Sequence, residues 1–180
     1  MNPTYKNIGR VFSAGRGVLI VAVISVFSLA SHGVDTPVHV QLDSNKAGPR
    51  VIESLTHQGI LRDYRLAWTS IAQALEFNTA DPLEGPFAGE AKHQLVETVN
   101  QQQHSGLSQR YADQNHRVEA VFYAPEGDVM ELHDTAEYQR QVLDGGKIIH
   151  NEHVVMHFVV LMTPAADRWV VRQLQAVSQF

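Results

Sequence analysis

The spacing of apolar residues changes once along this chain, and that change excludes most folds. Between Val51 and Gln103 the spacing is helical. Ile60, Tyr64, Ala67, Trp68, Ile71, Ala74 and Leu75 fall at i, i+4, i+7, i+8, i+11, i+14 and i+15, a single stripe on one helix face. Arg62, Asp63, Arg65 and Gln73 occupy other positions around that helix. The stripe fades after Phe77, and Asn78–Pro82 ends it. Gly59 weakens the middle and allows a break near His57–Gly59. After the turn Pro82–Pro86, a second helix is predicted from about Phe87 to Gln103, with Ala88, Ala91, Leu95 and Val99 as its apolar stripe and Gly106 placed to stop it.

Beyond Ser108 the period becomes two. Arg117–Ala124 reads as a strand closed by the turn Pro125–Asp128. Asp128–Leu143 reads as a second, bent or bulged near His133–Thr135, where the alternation loses phase. Asp144, Gly145 and Gly146 make the next hairpin. Lys147–Thr163 is a long strand, with Met156, Phe158, Val160 and Met162 on one face and His153, Val155, His157 and Val159 on the other. Pro164–Asp167 turns the chain into Arg168–Val177. Helices followed by a run of strands predict an α+β fold, helices packed on a curved four-stranded antiparallel sheet.

Ahead of this domain lies a different kind of segment. Gly17–Ala30 is fourteen residues without a charge, and counting on to Val34 gives eighteen. A spanning helix needs about 20 apolar residues to cross roughly 30 Å of hydrocarbon. Val11, Phe12 and Ala14 extend the run if Arg16 snorkels to the headgroups. The segment also suits a cleaved signal peptide, with a basic start, an apolar centre and small residues at Ser28 and Ala30. Both readings export residue 35 onward, because Lys6, Arg10 and Arg16 precede the run and hold the N-terminus in the cytoplasm. The expected layout is a basic segment over 1–16, an anchor or signal peptide over 17–34, a linker over 35–49 and the domain over 50–180. In a bacterium this places the domain in the periplasm, held at the inner membrane or released by cleavage near Ala30.

Charge narrows the partners. The first thirty residues carry three Lys or Arg and no acid, leaving 11 Lys and Arg against all 19 Asp and Glu, a net of −8. Such a domain is repelled by phosphate backbones, so nucleic acid is not an expected partner. The chain has no Cys, hence no disulfide, no thiolate nucleophile and no Cys-type zinc site.

The aromatic-bearing helix DYRLAWTSIAQAL, the second helix opening GPFAGEA and the last strand DRWVV resemble the NTF2-like superfamily over roughly residues 50–180. The closest likeness is to exported, membrane-tethered members, the ARC6-IMS-like domains and similar bacterial proteins. The resemblance implies a cone whose sheet wraps a helix, a shape often used for dimerisation or partner binding. Secretion-system relatives of the same layout carry an Asn-Pro-x-Gly motif, which this chain lacks.

Ten His invite a test for metal. His150, His153 and His157 would converge on a helix, but on a strand His153 and His157 share a face about 13 Å apart, too far for one ion. No metal site and no cofactor are expected. Residues that could line the cone as a pocket are Trp68, Tyr111, Asp113, His116, Tyr123, His133 and Asp134, and Asp113 with His116 would make an acid–base pair if both faced inward. Caps and turns use the same residue types, and Trp68, Trp169, Tyr64 and Tyr138 suit core packing. No nucleophile elbow, zinc-protease helix, phosphate loop or dinucleotide fingerprint is present. The long strand is apolar on both faces, which implies that its outer face, His153, Val155, His157, Val159 and Leu161, is covered by a partner, a second copy or the cone's own curvature. The leading expectation is therefore a non-catalytic, membrane-tethered module that binds a protein or itself, including as an accessory subunit of a membrane complex. The alternative is a small-ligand-binding or isomerase/dehydratase-like pocket.

Overall fold

The apolar stripe read from the sequence is the buried face of α1, which runs unbroken from Ser54 to Phe77. Ile60, Tyr64, Ala67, Trp68, Ile71, Ala74 and Leu75 are all buried. Gly59 does not break the helix. It lies where the Trp169 ring packs, 3.7 Å from the place its Cβ would take, so the small residue admits a neighbour. The computed structural model describes residues 37–180. The basic segment and the anchor or signal peptide lie outside the described residues. Among the described residues no helix is long and apolar enough to cross a membrane.

α1 ends at Asn78, whose left-handed backbone caps it while its side-chain amide donates to the Leu107 carbonyl at 2.8 Å. A 3-10 turn, Asp81–Leu83, leads to α2, Gly89–Ser105. α2 is mostly polar and buries little beyond Ala91, Val99 and Gln102. Gln103 donates to the Asn78 carbonyl at 2.6 Å, which ties the ends of the two helices together.

The sheet has five strands in the order β1 (His39–Asp43), β2 (Leu107–Tyr123), β3 (Met130–Asp144), β4 (Lys147–Ala165) and β5 (Arg168–Val177). β2 to β5 are antiparallel neighbours, as the alternation predicted, but β1 joins β2 in parallel. The sheet is thus mixed and five-stranded, not four-stranded. The stretch expected to be a linker, 35–49, holds that extra strand. Its alternation is only five residues long, and it becomes a strand because Val38 and Val40 find core to bury against. α1 touches both β2 and β5, which β3 and β4 separate in the sheet, so the sheet curls around the helix.

Two further expectations change. β2 begins at Leu107, ten residues before the predicted start. A bulge between Ala112 and Asn115 hides the signal by switching the phase: Tyr111 faces inward before it, and Gln114, His116, Val118 and Ala120 after it. Asp113, at φ 53°, absorbs the turn. β3 keeps its alternation through His133–Thr135. Met130, Leu132, Asp134, Ala136 and Tyr138 are inward and buried, and the phase looked lost only because one inward residue is an acid.

Candidate functional site

That acid sits at the centre of the core. β3 holds Asp134 opposite Val118, diagonal to His116 on β2, and α1 lays Tyr64 and Trp68 above both. The Tyr64 hydroxyl donates to Asp134 Oδ2 at 2.7 Å, and His116 Nδ1 meets the same oxygen at 2.8 Å. With Oδ2 accepting from Tyr64, Nδ1 is also a donor, so the imidazole directs Nε2 away from the acid. Trp68 packs on the imidazole with ring centroids 4.3 Å apart. His116 and Asp134 are 0% exposed, Tyr64 1% and Trp68 2%. Burial, reinforced by the Asp134 charge, pushes the Tyr64 hydroxyl well above its ordinary range. Among the described residues, His116 Nε2, Asp134 Oδ1 and the nearby Gln114 Oε1 have no hydrogen-bond partner. A Tyr–Asp–His set of this kind can relay protons, but only for a molecule that reaches it.

The sequence candidates part company here. Trp68, His116 and Asp134 come together, and Tyr64, read as core packing, joins them through its hydroxyl. A buried Tyr usually finds a partner for that group, and this was the signal available in the sequence. Asp113 does not pair with His116. It is exposed on the bulge, on the far side of β2, because the residues are three apart on a strand. Tyr111 stacks on Tyr138, centroids 4.5 Å apart, farther along the inner face, and burial raises its pKa. Tyr123 lies at the other end of the sheet, under the Arg50 guanidinium and edge-on to Trp169. His133 faces outward, with Glu131 at 3.1 Å.

The outer face of β4 carries the predicted set in one row. His153 Nε2 meets Glu137 at 3.0 Å, and His157 Nδ1 meets the Thr135 hydroxyl at 3.1 Å. Val155 is 52% exposed, and Val159 and Leu161 are half-buried. The cross-strand neighbours on this face are mostly polar, Glu131, His133, Thr135 and Glu137 on β3 and Gln173 and Gln175 on β5, with Val177 opposite His157. The apolar surface is therefore a stripe along β4. Phe180 extends it, stacked on His133 with centroids 4.4 Å apart and edge-on to His157 at 5.1 Å. Among the described residues no group of three His, Cys, Asp or Glu is arranged to hold a metal ion.

On the opposite face, a cleft of about 360 Å³ opens between α2 and β5, with Leu95, Phe158 and Leu174 in its floor and Gln94, Gln173 and Gln175 among its rim.

The sequence matches no family model and no curated protein. Among solved structures, the chain is similar to the intermembrane-space region of the chloroplast protein ARC6, with a TM-score of 0.55 and 12% identity over 72% of this chain and 98% of that one. At that identity the likeness concerns the fold alone. The two are related in architecture, α+β with helices against one sheet.

Proposed function

We propose that the domain is a non-catalytic interaction module, exported and tethered to a membrane through residues 17–34, with the outer face of β4 as its contact surface. The observation that carries this reading is the stripe of exposed Val155 and half-buried Val159 and Leu161, prolonged by exposed Phe180, on a sheet face that no helix among the described residues covers. The acid–base residues argue the other way for catalysis, because Trp68 and the surrounding core seal them. An NTF2-like assignment and an inner-membrane location belong to the same proposal, supported by the ARC6-like fold and the apolar run. The test is Val155→Asp and Val159→Asp in the full chain, gently solubilised. Proteins that copurify with wild type, or a second copy, are lost while far-UV circular dichroism is unchanged. Two variants that assemble like wild type would remove the outer face from consideration.

A second reading rests on the unpartnered His116 Nε2 and Asp134 Oδ1, which a small ligand or water could satisfy inside the cone. It requires His116 to be reachable. Acylation of His116 by diethylpyrocarbonate in the folded protein, mapped by mass spectrometry, supports a pocket; protection equal to that of the core supports the sealed interior.

A further inference from the structure

The β3–β4 hairpin projects past β5 and β1, accompanied to its turn by β2 alone, since Leu107 pairs with Asp144. β5 pairs with β4 only from His157 to Ala165, which leaves Lys147–Met156 with β3 alone. At the tip, Ile148 is 45% and Ile149 54% exposed, flanked by Lys147 and His150. Nothing in the core requires isoleucine at either position.

The direction of β1 gives this tip a neighbour. β1 runs parallel to β2 and enters the sheet with His39 opposite Asn115, itself paired with Glu137. The chain before His39 therefore comes from the side where β2 starts and the β3–β4 hairpin turns, since Leu107 pairs with Asp144. From Glu137 to Asp144 is seven residues of strand, about 23 Å. From Val34, the last apolar residue of the N-terminal run, to His39 is five residues, at most about 17 Å in any direction. A bilayer holding residues 17–34 thus has its surface closer to His39 than the hairpin tip is. The sheet must tilt away or set its tip among the headgroups, and two exposed isoleucines beside Lys147 decide between these.

We infer that the β3–β4 hairpin docks on the bilayer, Ile148 and Ile149 entering the boundary between headgroups and acyl chains and Lys147 and His150 meeting lipid phosphates. This rests on the tethered reading of residues 17–34. Tethering makes the contact intramolecular, so two isoleucines suffice where a free domain of net negative charge would not bind. Docking orients the outer face of β4 sideways to the membrane and limits which partners can reach it.

The chain has no Cys, so a single introduced thiol reports one position. Full-length Ile149→Cys and Leu55→Cys, each labelled with bimane, are reconstituted in vesicles of phosphatidylcholine and phosphatidylglycerol containing a nitroxide lipid. Leu55, 80% exposed beside the Tyr123 end of the sheet, is the alternative apolar contact. The expected result is several-fold stronger quenching at 149 than at 55, lost when Ile148→Glu is added to the Ile149 probe. Equal quenching, stronger quenching at 55, or a 149 probe shielded from aqueous iodide without lipid quenching overturns the docking, the last in favour of a protein on the same edge. Release of the protein from vesicles by alkaline carbonate overturns the tether, and the docking with it. Retention without quenching at 149 overturns the docking alone.

Discussion

Trp68 lies across His116 at 40°, its ring centroid 4.3 Å from the imidazole that meets the buried Asp134. The pairing decides what the polar core does. Beneath the indole, the hydrogen bonds of Tyr64 and His116 to Asp134 join α1 to β2 and β3.

Asp134→Ala tests that role. It removes the acceptor of both Tyr64 and His116 and leaves two polar groups unpaired in the core. The expected loss is about 3–5 kcal/mol, read from urea unfolding. Asp134→Asn keeps the shape and one acceptor and should cost less than Ala. A cost for Asp134→Ala below about 1 kcal/mol would mean the hydrogen bonds are not formed in solution.

Alkaline titration addresses the tyrosines. Burial first of all raises Tyr64, Tyr111 and Tyr138, with the Asp134 charge adding to Tyr64. Each keeps its proton in the fold at a pH where the unfolded chain, titrating near 10, has lost it. Their contribution to stability is complete below about pH 10 and is lost as pH climbs through the raised folded values. Ultraviolet difference spectra should show these three phenols ionising together with unfolding, and Tyr64→Phe, though less stable at neutral pH for want of its hydrogen bond to Asp134, should lose stability less steeply above about pH 10.

Asp63 joins α1 to the start of β5. Only 3% exposed, it accepts from the Trp169 backbone N–H at 2.7 Å and from the Arg62 guanidinium. Asp63→Ala strands that N–H and should cost about 1–3 kcal/mol by denaturant midpoint. Arg62→Ala should be close to neutral, because its side chain lies in solvent.

Gly127 turns β2 into β3 with φ at +81°, and a Cβ there would fall 2.4 Å from Arg50 Nη1 and 3.2 Å from the Tyr123 hydroxyl. Gly127→Ala combines backbone strain of about 1–2 kcal/mol with displacement of Arg50 from the Tyr123 ring. Thermal unfolding measures the sum, and Arg50→Ala in the same background separates the two contributions.

Much of the fold was legible because periodicity reports burial. The α1 stripe from Ile60 to Leu75 and the alternation of β4 named their own inward faces, and the turns at Pro125–Asp128, Asp144–Gly146 and Pro164–Asp167 named the hairpins. The reading failed where burial and polarity part. Gln114, His116 and Asp134 face inward and broke the pattern, so β2 lost its first ten residues and β3 gained a bend it does not have. His116 and Asp134 were both named, yet His116 was paired with Asp113, its neighbour in sequence, when a strand turns residues three apart to opposite faces.

By itself, then, the sequence determined which residues seek the core, because apolar spacing is a local property set by helix and strand geometry. It also determined that residues 17–34 form a run without Asp, Glu, Lys or Arg. Only the tertiary structure decided the parallel pairing of β1 and the meeting of Tyr64, His116 and Asp134 beneath Trp68. The overhang of β4 beyond β5 was decided in the same way. Each depends on the register between segments far apart in the chain, which no local pattern encodes.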